Sequence, residues 1–130
     1  MSRTFAPAQT AYLAARAIAD LCNEEARAVS DAYDAFCEAE TAGMTEEQER
    51  AWNAAQVANA QPNPVLVRQT AALDALKEAE DALINWSLDV ALTAARTTSQ
   101  RADVETCRRV GMRSYSGRPK LVDIAMRLDA

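Results

Sequence analysis

The chain has 130 residues, with 14 Lys+Arg, 19 Asp+Glu, no histidine and a net charge of −5. That length suits one domain around a single core, and the acidic balance argues against a protein that coats nucleic acid with its whole surface. With three Gly and four Pro the chain is neither collagen-like nor a turn-rich β-sandwich, and without His it has no Ser-His-Asp or Cys-His machinery and no imidazole metal site.

Alanine supplies 29 of the apolar residues, leaving 35 larger ones, seven of them aromatic. Alanine favours helix but buries little area. At roughly 1.5–3 kcal/mol per large side chain fully buried, the remainder supports a domain with little margin. Alanine faces also let helices approach toward the short end of the ~8–10 Å interaxial range. The expectation is thin, closely packed helices whose stability a neighbouring chain completes. The alanines, and 12 Arg against two Lys, are also what GC-rich coding would give.

In chain order, a helix is predicted over about 7–41, with Pro7 tolerated near its start. A second opens at Thr45, where Thr45-Glu46-Glu47-Gln48 reads as a capping box, and ends before Gln61-Pro62. A third opens at Asn63-Pro64, an N-cap followed by proline at the first helical position, and continues to about 97. Thr97-Thr98-Ser99 interrupts it. A short fourth helix follows over about 100–110 and a fifth over about 119–128. Gly43, Gly111 and Gly117 fall where helical periodicity stops. No strand pattern competes. The predicted architecture is an all-α bundle of about five helices, a single domain over 1–130. Its two long helices run antiparallel, and a basic segment over about 98–130 closes the chain.

The longest uncharged run, 51–67, contains Pro62 and Pro64 and cannot span a bilayer. The N-terminus is a poor signal-peptide core, and three cysteines without evident pairing suit a reducing compartment. A cytoplasmic location is expected.

At 100° per residue, Cys22, Val29, Ala32, Tyr33 and Phe36 lie within about 60° of Ile18, and acids and arginines occupy the opposite face. Glu25 falls inside this apolar stripe and Leu13 on the charged face. The third segment is apolar around more than half its circumference, with Leu66, Leu73, Leu76, Leu83, Ile84, Leu88 and Trp86. Such a helix is central to a bundle or contacts another chain.

Charge is divided along the chain. Residues 1–95 carry six basic and 15 acidic groups, whereas 96–130 carry eight basic and four acidic. Between Arg108 and Lys120, the cations Arg108, Arg109, Arg113, Arg118 and Lys120 have no intervening acid. Guanidinium forks suit phosphate oxygens or carboxylates, and Tyr115 suits stacking on a base. These six residues are the predicted contact with nucleic acid or an acidic partner, the latter being a sister subunit or the acidic face of the chain's own long helix. Tyr12, Leu13, Glu25 and Trp86 depart from the main stripes and are the predicted protein contacts.

Enzyme chemistry finds no support. Cys22 and Cys37 stand roughly 22 Å apart on one helix, so the cysteines read as small buried hydrophobes. The acidic groups Glu24/Glu25, Glu46/Glu47/Glu49 and Glu78/Glu80/Asp81 lack the His that a di-iron bundle needs. No glycine-rich phosphate loop exists. No cofactor and no metal are expected.

The reading is a non-catalytic helical subunit of a larger intracellular assembly. It would touch protein neighbours through its long helices, and phosphates or an acidic surface through the basic segment. A nucleoprotein is the expected setting. In size and class alone the chain is similar to the small helical subunits of RNA-guided CRISPR effector complexes, and no motif carries that comparison. Two alternatives stand beside it: a small phage- or plasmid-encoded acidic inhibitor that imitates nucleic acid, with Asp31, Asp34 and Glu38 engaging its target, and a small DNA-binding regulator.

Overall fold

The computed structural model describes the backbone of residues 3–113 and 117–129, and the side chains of all of these but 110–113. Five helices follow one another: α1 (Pro7–Thr41), α2 (Glu46–Ala58), α3 (Pro64–Ala94), α4 (Thr98–Arg113) and α5 (Arg118–Arg127). No strand occurs among the described residues. The all-α expectation holds.

Each helix start has a local cause. At α2 the Thr45 hydroxyl accepts the Gln48 N–H at 3.2 Å, and the Gln48 side chain accepts the Thr45 N–H at 3.0 Å, the reciprocal pair that satisfies two orphan donors. At α3 the Asn63 side chain accepts the Val65 N–H at 2.9 Å, with Pro64 supplying a preset φ. The Thr97 cluster is more than an interruption. Thr97 Oγ1 accepts the Gln100 N–H at 3.1 Å, and Gln100 Oε1 accepts the N–H groups of Arg96 and Thr97 at 2.7 and 3.3 Å. This second capping box ends α3 at Ala94, short of the predicted 97, and opens α4 at Thr98.

The glycines divide. Gly43 has φ 80° and ends α1 in the left-handed conformation that glycine adopts without strain. Gly111 lies inside α4, contrary to expectation; α4 continues to Arg113, since one helical glycine costs only about 1 kcal/mol. Gly117 caps the start of α5 with an ordinary φ of −83°.

The chain divides into two compact units. Unit 1 comprises Met1–Ala17 and Leu73–Ala130, and unit 2 comprises Ile18–Ala72. Unit 1 has the larger core: Tyr12, Leu83, Ile84, Leu88, Val122 and Ala125 cluster together, with Leu76, Trp86, Val104 and Met126 against them. Leu83 and Ile84 project about 100° apart on α3, yet both are 0% exposed. Within unit 1, then, α3 is the central helix its wide apolar arc predicts. Gln9, also fully buried, accepts the Ala6 N–H at 2.8 Å and donates to the carbonyls of Ala125 (3.0 Å) and Leu128 (2.8 Å). Arg3 donates to the carbonyls of Met126 and Leu128, placing a cation at the C-terminus of α5 where the helix dipole favours one.

Unit 2 is built differently. Its buried hydrophobic residues are Ala19, Ala26 and Ala72, and nothing larger is buried there. Asn23 on α1 accepts from the Gln69 side chain on α3 at 2.9 Å. The predicted α1 stripe is therefore rotated. Ala19 and Ala26 are buried and Cys22 and Val29 half-buried, whereas Ile18 (56% exposed), Tyr33 and Phe36 remain uncovered. The buried alanines sit roughly 90° around the helix from Ile18. Packing follows the small residues that permit close backbone approach, not the bulkiest ones.

Candidate interaction surfaces

The C-terminal cations do not form one free patch. Arg118, at the start of α5, lies between two carboxylates of α3. Its Nε is 2.7 Å from Glu80 Oε2, Nη1 is 2.7 Å from Asp81 Oδ1, and Nη2 donates to the Lys77 carbonyl at 2.9 Å. Its side chain is 15% exposed. Burial pulls the guanidinium toward neutrality, but the hydrogen bonds and charges of Glu80 and Asp81 outweigh it and hold the group above its ordinary range. Arg108 on α4 is paired at 2.6 Å with Asp89 on α3. Arg108 and Arg118, two of the four arginines in the predicted contact, thus meet acids of their own chain, which α3 brings within reach. Arg109 and Lys120 are exposed and form no ion pair among the described residues. The Arg113 side chain and Tyr115 lie outside the described residues.

The predicted protein contacts separate as well. Tyr12 is a correction: it is 7% exposed and belongs to the unit 1 core, its hydroxyl 3.5 Å from Arg16 Nη1. It stands seven and fourteen residues before Ala19 and Ala26 and shares their buried phase on α1. Trp86 is half-buried against the same core. Glu25 is exposed, and the arginine it meets is Arg68 of its own chain, at 3.4 Å. Leu13 is 40% exposed, as expected.

Leu13 lines an open groove of about 950 Å³ in unit 1, between α1, α3 and α5. Tyr12, Leu76, Val122 and Met126 form its apolar part, and Arg16, Asp74, Lys77 and Asp123 give it charges of both signs. Neither a cysteine nor a histidine lines it. Among the described residues no group of three or more potential ligands is placed to hold a metal ion, and no helix is long and apolar enough to cross a membrane.

Unit 2 presents the larger apolar surface. Ile18, Leu21, Tyr33, Phe36, Val57, Leu66 and Val67 are between 43% and 78% exposed. Tyr33, Phe36 and Trp52 form a tilted aromatic row, with ring centroids 6.3 and 6.0 Å apart. A hydrogen bond with Cys37, one turn on, holds the Tyr33 phenol above its usual range. Unit 2 also carries ten acidic and three basic side chains. Isolated exposed apolar residues are ordinary; this many over a core of alanines make unit 2 a candidate interaction surface.

Sequence reasoning passed over Gln9 and Arg3, because single polar residues near a terminus carry no periodic signal. It allows the acidic face of the chain's own long helix as a partner of the basic segment but does not single out Asp89, Glu80 and Asp81. Glu80 and Asp81 precede Arg118 by 38 and 37 residues, and only the return of the chain joins them.

No family model, no curated protein and no solved structure matches this chain.

Proposed function

We propose that the chain is a non-catalytic helical subunit that docks a protein neighbour through the apolar surface of unit 2. The carrying observation is that unit 2 buries nothing larger than alanine while exposing Ile18, Leu21, Phe36, Leu66 and Val67. At about 25 cal/mol per Å², that surface contributes nothing to the isolated chain and becomes favourable when covered. The basic segment plays a smaller part in this reading. With Arg108 and Arg118 engaged by Asp89, Glu80 and Asp81, Arg109 and Lys120 are the described members of the run from Arg108 to Lys120 left for an acidic surface or a phosphate backbone. A nucleoprotein role, including one like a small CRISPR subunit, rests on those two.

The acidic-inhibitor reading draws support from the same unit. Asp31, Asp34 and Glu38 are exposed, and none forms an ion pair among the described residues. It differs in needing charge alone.

The test is the mass of the particle that contains the tagged chain when it is isolated gently from its native cells. The expected result is a complex well above the monomer, dispersed by I18S/L21S and retained by D31N/D34N. A particle of monomer mass in the unsubstituted protein overturns the proposal, and dispersal by D31N/D34N alone favours the inhibitor.

A further inference from the structure

Within unit 2, five of the exposed apolar residues of α1 form one strip. Ile18, Leu21, Ala28, Ala32 and Phe36 are exposed, and their spacings of three, seven, four and four residues keep them within about 80° of arc. The strip extends roughly 27 Å along the helix, at 1.5 Å per residue. Glu25 interrupts it, but that carboxylate already has Arg68.

One edge of the strip is a line of acids. Asp20, Glu24, Asp31 and Glu38 occupy about 200–240° on the same wheel, where Ile18 is zero and the strip runs from about 280° to 0°. All four are exposed and form no ion pair among the described residues. An apolar track of five turns beside a rail of four acids, flanked by the single cation Arg27, has a specific complement. That complement is a helix of similar length with an apolar face and Lys or Arg along its border, the helix-in-groove mode of recognition. Charge complementarity sets the partner's sign, and the apolar strip requires that the partner's cations be arranged on a helix, not merely present.

We infer that the α1 strip from Ile18 to Phe36, with its rail of Asp20, Glu24, Asp31 and Glu38, is a docking site for a basic amphipathic helix. This rests on the protein-docking function proposed above and names the partner's chemistry.

The probe is a fluorescent 20-residue Leu/Lys amphipathic helix titrated with the full chain and followed by anisotropy. Two controls accompany it: a scrambled peptide of the same composition, and a Leu/Glu helix of the same pattern. The amphipathic Leu/Lys helix should bind at least tenfold more tightly than either. I18S/L21S should weaken it tenfold or more, and D31K/E38K should do the same with a flatter salt dependence. Both pairs are exposed, so circular dichroism should show native helicity in each variant.

Equal binding of the scrambled peptide overturns the inference in favour of a surface that reads charge alone. Unchanged affinity in I18S/L21S overturns it outright. Sedimentation that finds a dimer of the chain, dissociated by I18S/L21S, assigns the strip to a second copy. That outcome overturns this inference while leaving the protein-docking function standing.

Discussion

Replacing Arg118 with alanine separates an arginine that holds the fold from one that waits for a ligand. The side chain is 15% exposed and its partners Glu80 and Asp81 are 22% and 37% exposed, between a surface pair worth about 0.2–1 kcal/mol and a buried one whose rupture costs about 3–5 kcal/mol. R118A also strands two adjacent carboxylates and frees the Lys77 carbonyl. We expect a loss of about 2 kcal/mol, which for a domain of this size lowers Tm by roughly 6–10 °C. R118K restores the charge without the fork that reaches both acids and should recover about half. Urea unfolding in a W52F background, with Trp86 as the reporter of unit 1, measures it. The guanidinium is held above its ordinary range, so its contribution is complete below the unfolded-state value and is lost only in strong alkali. The R118A deficit attributable to the guanidinium should therefore be flat from about pH 6 to pH 9. An unfolding free energy within about 0.3 kcal/mol of the W52F parent, equivalent to roughly 1 °C in Tm, would refute the reasoning and return Arg118 to the free cations.

Gln9→Ala removes three hydrogen bonds at a fully buried position and should cost about 3 kcal/mol in the same assay. Leu83→Ala, at 0% exposure, should cost about 3–4 kcal/mol, whereas Leu21→Ala, at 61% exposure, should stay within about 0.5 kcal/mol; equal losses would mean that Leu21 is covered in the isolated chain. With two or three of the cations from Arg108 to Lys120 contributing, any affinity for duplex DNA should fall with salt at a log–log slope no steeper than about −3, against about −4.5 if all five of them met phosphate. A filter-binding series from 50 to 200 mM salt distinguishes the two, and the steeper slope would show Arg108 and Arg118 leaving their carboxylates.

Local signals in the sequence were enough for the helices. Thr45-Glu46-Glu47-Gln48, Asn63-Pro64 and Gly43 each act on their own few residues, so α1, α2 and the start of α3 are legible from pattern alone. Thr97-Thr98-Ser99-Gln100 carries the same capping grammar as Thr45 to Gln48, and reading it as an interruption misses the signal. What could not be read locally is which face of α1 turns inward. Hydrophobic weight points to Ile18 and Phe36, but the chain buries Ala19 and Ala26, because contact between backbones rewards a small side chain over a large one. The surfaces fail for a related reason. Arg108 and Arg118 look free in a stretch without acids, yet α3 supplies Asp89, Glu80 and Asp81 from 19 to 38 residues away. The wide apolar arc of α3 is resolved only by dividing it: Leu83, Ile84 and Leu88 are enclosed in unit 1, while Leu66 and Val67 in unit 2 are not.

Hydrogen–deuterium exchange across the whole chain, alone and in the complex recovered from its native cells, bears most directly on the claim that unit 2 awaits a covering partner. An alanine core gives little resistance to local opening, so amides of 18–36 and 66–72 should exchange much faster than those of 83–88 in the free chain, and should gain strong protection in the complex. Equal protection of both stretches in the free chain, or a complex that protects unit 1 and leaves 18–36 unchanged, would contradict it.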